Sequence, residues 1–371
     1  MPPGETLLAV GPAQGGVADV FVVTLKALRG DGREVVDEQL PERGNSSRVA
    51  LAAARRHWRL LKQADALHVE FGSNDIAVFW FAVIATLARP DAVVVIHDPH
   101  IVARAPGAGL IAKHSRWRSR LAYRVLSPLL DGPAIAMLLR RAGAIVVLGP
   151  SARARLSART ARPVVSVRHA AQPDRASRAA PSNCKYVLFA GYLGPHKGIE
   201  ALINAWGMVG RTDLRLVIVG GVGPGNLDWA EALRARANAL ESPPEWIGHV
   251  ESETDFQGWF DAAAVVVLPY ERSSPGSGIL VRAMLAGRCV VATRVEAVTD
   301  AVEDDVSGWV VEVGDVQGLA ARLRQASENG AERDRLGDAA QVRAERIFGW
   351  DRFVSGIGDA YALARSSWPD S

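Results

Sequence analysis

The chain of 371 residues is longer than one hydrophobic core usually organises, so two domains of roughly 150 to 200 residues are expected. Hydrophobic residues at 49% and charged residues at 22% exclude a disordered chain, and no apolar run reaches the ~18 residues that span a bilayer. The net charge of +3 divides unevenly, residues 1–180 holding 25 Lys and Arg against 14 Asp and Glu and the remainder 18 against 26. A basic first half fits an anionic surface or partner, and equally an Arg-rich coding bias.

The N-terminus lacks the basic and apolar regions of a signal peptide, and Leu7 to Val10 followed by Gly11-Pro12 reads as a first strand entering a loop. A helical pattern covers Gly16 to Arg29. Short β-branched runs follow at Val93 to Ile96 and Ile145 to Leu148, bounded by Gly, Pro or polar residues as buried parallel strands are. Ala170 to Asn183, with Pro173, Pro181 and no hydrophobic period, reads as a linker.

Strands at Tyr186 to Phe189, Leu216 to Val219, Ala264 to Leu268 and Cys289 to Thr293 then alternate with helices at Gly198 to Val209, Asp228 to Leu240, Gly278 to Ala286 and Val316 to Ala326. A last amphipathic helix runs from Trp350 to about Ala364. Strand–helix alternation through the chain gives an α/β protein of two doubly wound sheets, whose ligands sit beyond the carboxyl ends of the strands. Two cysteines, Cys184 and Cys289, form neither a disulfide framework nor a metal-ligand spacing, which fits a reducing cytoplasm.

Three glycine-containing loops lie at strand-to-helix turns. Gly15 and Gly16 let a phosphate or sugar approach the backbone at a helix start. In Gly191-Tyr192-Leu193-Gly194-Pro195-His196-Lys197-Gly198, Lys197 stands where free N–H groups already make a cation unfavourable unless an anion is shared, so a phosphate outweighs a solvated lysine. In Leu268 to Gly287 a buried strand stops, a small polar loop follows, and a helix starts near Gly278 with Ser277 and Gly278 as donors.

His68-Val69-Glu70 and His97-Asp98-Pro99-His100 both follow predicted strands. A metal site would need a third ligand, so no metal is expected, and His97 is either a structural histidine or a ligand contact. Lys113, Arg116, Trp117, Arg118, Arg120 and Arg124 form a basic, aromatic-bearing run. It suits an anionic headgroup region, a lipid-linked acceptor or a plain solvated helix face. No nucleic-acid signature accompanies the charge.

The order of these motifs resembles the retaining glycosyltransferases of family 4, which have the GT-B fold. That family has a Gly-Arg-x-x-x-x-Lys-Gly turn, a strand ending in glycines (here Leu216 to Gly221), a Gly-x-Val turn (Gly248-His249-Val250), a Pro-Ser-x-x-Glu-x-Phe-Gly loop and a helix ending Glu-Ala-Met-Ala-x-Gly. The resemblance implies an acceptor-binding domain at 1–172, a linker at 173–183, a nucleotide-sugar domain at 184–345 and a C-terminal helix at 346–371 crossing back to the first domain, the two domains facing a cleft.

It further implies that Lys197 neutralises a diphosphate, with Gly191, Tyr192 and Gly221 near it and Gly276, Ser277, Gly278 and Ile279 at the cradling helix start. Gly248, His249 and Val250 would meet the base, and His97 the reacting sugar. No cofactor is implied beyond the nucleotide diphosphate sugar as co-substrate.

Three positions depart from the pattern. Arg282 and Ser274 stand where the family has the two glutamates of Glu-x7-Glu, and Tyr192 stands where it has an arginine. Arginine cannot accept the ribose hydroxyls that a carboxylate accepts, and Glu271 is the nearest carboxylate to substitute.

The expected activity is retaining sugar transfer to a glycan, lipid-linked or small-molecule acceptor in bacterial envelope, exopolysaccharide or secondary-metabolite synthesis. The expected location is the cytoplasm, with the inner face of the plasma membrane as a peripheral site. The alternative is a non-catalytic partner or regulatory subunit of an active transferase.

Overall fold

The computed structural model describes residues 5–14, 16–30, 32–41, 46–72, 75–98, 132–170, 186–210, 212–272 and 276–367. Two compact units divide the chain: Met1–Ala170 with Ser274–Gly276 and Asp351–Ser371, and Ala171–Ser273 with Ser277–Trp350.

The first unit holds a parallel sheet of β1 (Thr6–Pro12), β2 (Glu34–Leu40), β3 (Ala66–Phe71), β4 (Val93–Ile96), β5 (Ala144–Val147) and β6 (Val164–Ser166), in the order β2-β1-β3-β4-β5-β6. Its central strands β3, β4 and β5 are buried at every residue, which is why they are almost uniformly apolar. The crossover segments are α1 (Gly16–Gly30), α2 (Ser46–Arg56), α3 (Trp58–Gln63), α4 (Ile76–Ala88), α5 (132–141) and α6 (Pro150–Ser157). Helix α4 reads Ile-Ala-Val-Phe-Trp-Phe-Ala-Val-Ile-Ala-Thr-Leu-Ala and is apolar on every side because it is buried nearly all round, with Phe79 and Phe81 fully enclosed.

The second unit holds β7 (Tyr186–Ala190), β8 (Arg215–Val219), β9 (Glu245–Ile247), β10 (Val265–Leu268), β11 (Cys289–Thr293) and β12 (Trp309–Val311), all parallel, in the order β12-β11-β10-β7-β8-β9. Around them lie α7 (Ile199–Val209), α8 (Leu227–Ala237), α9 (Glu253–Asp261), α10 (Gly278–Leu285), α11 (Glu296–Thr299), α12 (Val316–Glu328) and α13 (Gly330–Ile347). One continuous core joins β7, β8, β10 and β11 to Ile199, Leu202, Trp206, Met284 and Leu336 from the helices.

The last helix, α14 (Trp350–Ser366), lies far along the chain from the first unit yet packs within it. The Tyr361 hydroxyl is 3.0 Å from His68 Nδ1, and Arg365 makes two 2.8 Å hydrogen bonds to Glu5.

In a doubly wound sheet the ligand crevice opens where successive connections turn to opposite sides. In the first sheet that point lies between β1 and β3, and in the second between β7 and β10. Among the described residues no helix is long and apolar enough to cross a membrane.

Candidate active site

At the second switch point the loops after β7 and β10 are tied together. Pro195–Lys197 form a single 3-10 turn that ends on Gly198, and Glu271 N donates to His196 O at 3.1 Å. Gly198 has φ 68°, and a Cβ there would overlap the Pro269 carbonyl oxygen, so only glycine lets the two loops meet. Lys197 therefore sits before the helix start of α7 rather than inside it.

The Lys197 ammonium lies 4.3 Å from the centre of the Tyr270 ring. Burial pushes its pKa down, and among the described residues no ion pair joins it to a carboxylate. A half-buried cation facing only a π-face is undersatisfied, which suits an anion. Tyr270 is itself fixed, since its carbonyl accepts from Thr293 Oγ1 at 2.6 Å, and burial raises its hydroxyl to about 12.

Beside it, Ser277 Oγ accepts from Leu280 N at 3.3 Å and caps α10. Its hydroxyl is thus already used as an acceptor, while Gly278 is exposed at the helix entrance. The Ile279 side chain lies against Gly191, where a Cβ would stand 3.4 Å from it. Tyr192 is exposed, its ring close over Gly223. Gly221 faces His249, Gly248 and His249 are exposed at the end of β9, and Val250 packs on the core.

Arg282 turns to α9: it donates to Glu253 at 2.6 Å and to Gln257 at 3.3 Å, and its guanidinium lies 5.5 Å from the Phe256 ring. Its head group thus has protein partners on α9. Glu271 is exposed in the loop after Tyr270. Gly15, Ser274 and the run Lys113 to Arg124 fall outside the described residues.

At the first switch point, alternation along β3 puts His68 and Glu70 on one face. Neighbouring β4 then delivers His97, whose backbone N donates to Phe71 O at 3.0 Å. Glu70, with no exposed surface, meets His97 Nε2 at 2.7 Å and His68 Nε2 at 3.3 Å. Burial alone would raise the Glu70 pKa, but hydrogen bonds and charge from the two imidazoles outweigh it and lower it to about 2.

His97 also meets His169 edge-on at 6.4 Å. Gly72 lies among Val17, Asp75 and Asp98, its N–H donating to Asp75 Oδ2 at 2.7 Å. His68 and Glu70, expected just after a strand, lie inside β3, where the two polar side chains had masked the apolar run; Tyr361, 293 residues from its partner His68, carried no signal in the sequence.

Residues 184–329 match the family model described as Glycosyl transferases group 1. The match falls on the second sheet and its helices. The D-inositol 3-phosphate glycosyltransferase of Streptomyces avermitilis is 31% identical over 203 residues, covering 51% of this chain and 42% of that protein. That of Streptomyces coelicolor is 31% identical over 207 residues, covering 52% and 44%. The matched part thus spans less than half of these curated relatives.

Over the whole chain the fold is GT-B. The sucrose-phosphate synthase of Thermosynechococcus elongatus superposes with a TM-score of 0.76 at 18% identity, covering 98% of this chain and all of that one. Anabaena HepE, solved with UDP and glucose, gives 0.70 at 16% identity, covering 96% and 99%.

Proposed function

We propose that the chain transfers a sugar from a nucleotide diphosphate sugar to an acceptor hydroxyl. The observation that carries this is Lys197, half-buried on Tyr270 at the switch point of the second sheet, within the segment that the group 1 model matches, with its pKa lowered by burial. A diphosphate there completes its solvation, and as the C–O bond to the sugar breaks Lys197 stabilises the negative charge that develops on the leaving diphosphate, which is electrostatic catalysis. The α10 entrance at Gly278 and the exposed Gly248 and His249 offer backbone to the same ligand.

The likeness to family 4 supports retention of configuration. The basic first half, 25 cations against 14 acids in residues 1–180, supports an anionic acceptor or membrane face. Envelope, exopolysaccharide or secondary-metabolite glycans fit such acceptors.

The engagement of Arg282 with Glu253 favours a second reading, a GT-B partner of another transferase without donor chemistry of its own. Calorimetric titration with UDP, GDP, UDP-glucose and GDP-mannose separates the two. Binding of at least one nucleotide, weakened by about 1.5–3 kcal/mol in Lys197→Ala, supports the transferase. No binding by any of them supports the second reading, and unchanged affinity in the variant removes Lys197 from the site.

A further inference from the structure

The four side chains Tyr361, His68, Glu70 and His97 are joined end to end inside the first unit, at separations of 3.0, 3.3 and 2.7 Å. A carboxylate only accepts hydrogen bonds, so the ring nitrogen facing each of its oxygens must carry a hydrogen. Glu70 meets Nε2 of both rings, which places a hydrogen on Nε2 of His68 and on Nε2 of His97. In a neutral ring the other nitrogen is then a lone pair. For His68 that is Nδ1, which accepts from the Tyr361 hydroxyl.

We infer that Glu70 is a positioning residue: hydrogen bonds converge on it, from Tyr361 through His68 on one oxygen and from His97 on the other, and its carboxylate fixes His97 as the Nε2–H tautomer and leaves Nδ1 as its accepting atom. The network runs from α14 along one face of β3 and ends just past β4, at the edge where the fold places ligands. Glu70, with no exposed surface, is itself held in place by His68 on its other oxygen. The class of group recognised by such a ring is a hydroxyl donor, as on a sugar or polyol. That last step rests on the transferase reading, whereas the tautomer does not.

A carboxylate between two imidazoles is otherwise a costly thing to bury, and it is stable here because both its oxygens receive ring N–H groups. Around the network, His169 meets His97, Arg33 lies 5.4 Å from the centre of the Tyr361 ring, and the Phe21 ring stacks on His68.

The test is nitrogen–proton correlation NMR of the full chain labelled at the histidine ring nitrogens, at neutral pH. His97 is expected to show a protonated Nε2 and an unprotonated Nδ1 in the wild type. In Glu70→Gln, whose amide presents one acceptor and one donor, one of the two rings is expected to lose that pattern. In Tyr361→Phe only His68 is expected to shift. Glu70→Asp supplies a rescue arm that retains the carboxylate.

A wild-type His97 protonated on Nδ1 alone overturns the inference even if no variant folds, as does an unchanged His97 and His68 pattern in Glu70→Gln. Calorimetry with UDP-glucose on the same samples reports the donor site independently. Loss of nucleotide binding with an intact tautomer pattern counts against the transferase reading only.

Discussion

At the scale of single residues, Gly198 holds the loops after β7 and β10 together. Its φ of 68° is left-handed, and the space a Cβ needs is filled by the Pro269 carbonyl. Gly198→Ala must strain the backbone or part the loops, so a loss of about 2 kcal/mol or more is expected in urea unfolding, with nucleotide affinity falling alongside. A variant as stable as the wild type would show that the loops are not so tightly joined. Lys197 tells a second residue-scale story. Its ammonium is held over a ring that is itself anchored by Thr293, so Tyr270→Phe, which keeps the ring, should bind UDP as the wild type does. Tyr270→Leu, which removes the π-face, should weaken it by about 0.5–2 kcal/mol by calorimetry. Equal affinities for the two variants would show that the ring only fills space.

At the scale of elements, what could be read from the sequence follows burial. Strands β1, β4, β5, β7, β8, β10 and β11 lie inside their sheets and are apolar runs that the sequence shows directly, whereas the inner strand β3 is interrupted by His68 and Glu70 and was not read as one. The edge strands β2, β9 and β12 were not legible. Glu34–Leu40 is half-acidic because one edge faces outward, and Glu245–Ile247 and Trp309–Val311 are three residues each. Helix α4 escaped for the opposite reason, since burial on all sides erases the 3.6-residue period. The site divides in the same way. Lys197 and Ser277 announce themselves because they sit at strand-to-helix turns with glycines, and His97 because it directly follows an apolar strand. Tyr270 as the partner of Lys197, Glu253 as the partner of Arg282, and Tyr361 as the partner of His68 depend on tertiary neighbours that no local pattern carries.

At the scale of the whole molecule, two consequences concern how the first unit holds together. One is acid sensitivity. Burial, then the charge of His97, lowers the His169 pKa from 6.5 to about 4, so the folded chain binds this proton less readily than the unfolded chain. Its contribution to stability is complete above pH 6.5 and is lost as pH falls toward 4. Glu70, lowered from 4.5 to about 2, acts in the same direction at lower pH, its contribution being complete above 4.5 and lost as pH falls through 2. The unfolding midpoint should therefore drop between pH 6.5 and 4, and His169→Asn should flatten that part of the curve while leaving the decline below pH 4. A slope unchanged in the variant would assign the acid response to other groups.

The other consequence concerns chain order. Helix α14 comes last in sequence but belongs to the first unit, where Phe353, Ile357 and Tyr361 are nearly or fully buried and Arg365 pairs with Glu5. Burying three such side chains contributes about 4.5–9 kcal/mol at roughly 1.5–3 each, which is comparable to the whole 5–15 kcal/mol stability of an ordinary domain. The exposed edge of the Arg365 pair adds little to this. Removing the chain after Gly349 should therefore leave the first unit unable to hold its sheet while sparing the second, whose core takes nothing from α14. Hydrogen exchange followed by mass spectrometry reads this directly: backbone protection should be lost across β1 and β3–β5 and kept across β7, β8, β10 and β11. Protection lost equally from both sheets would mean that the two units fold as one, and protection kept in both would mean that α14 is an attachment to the first unit rather than part of its core.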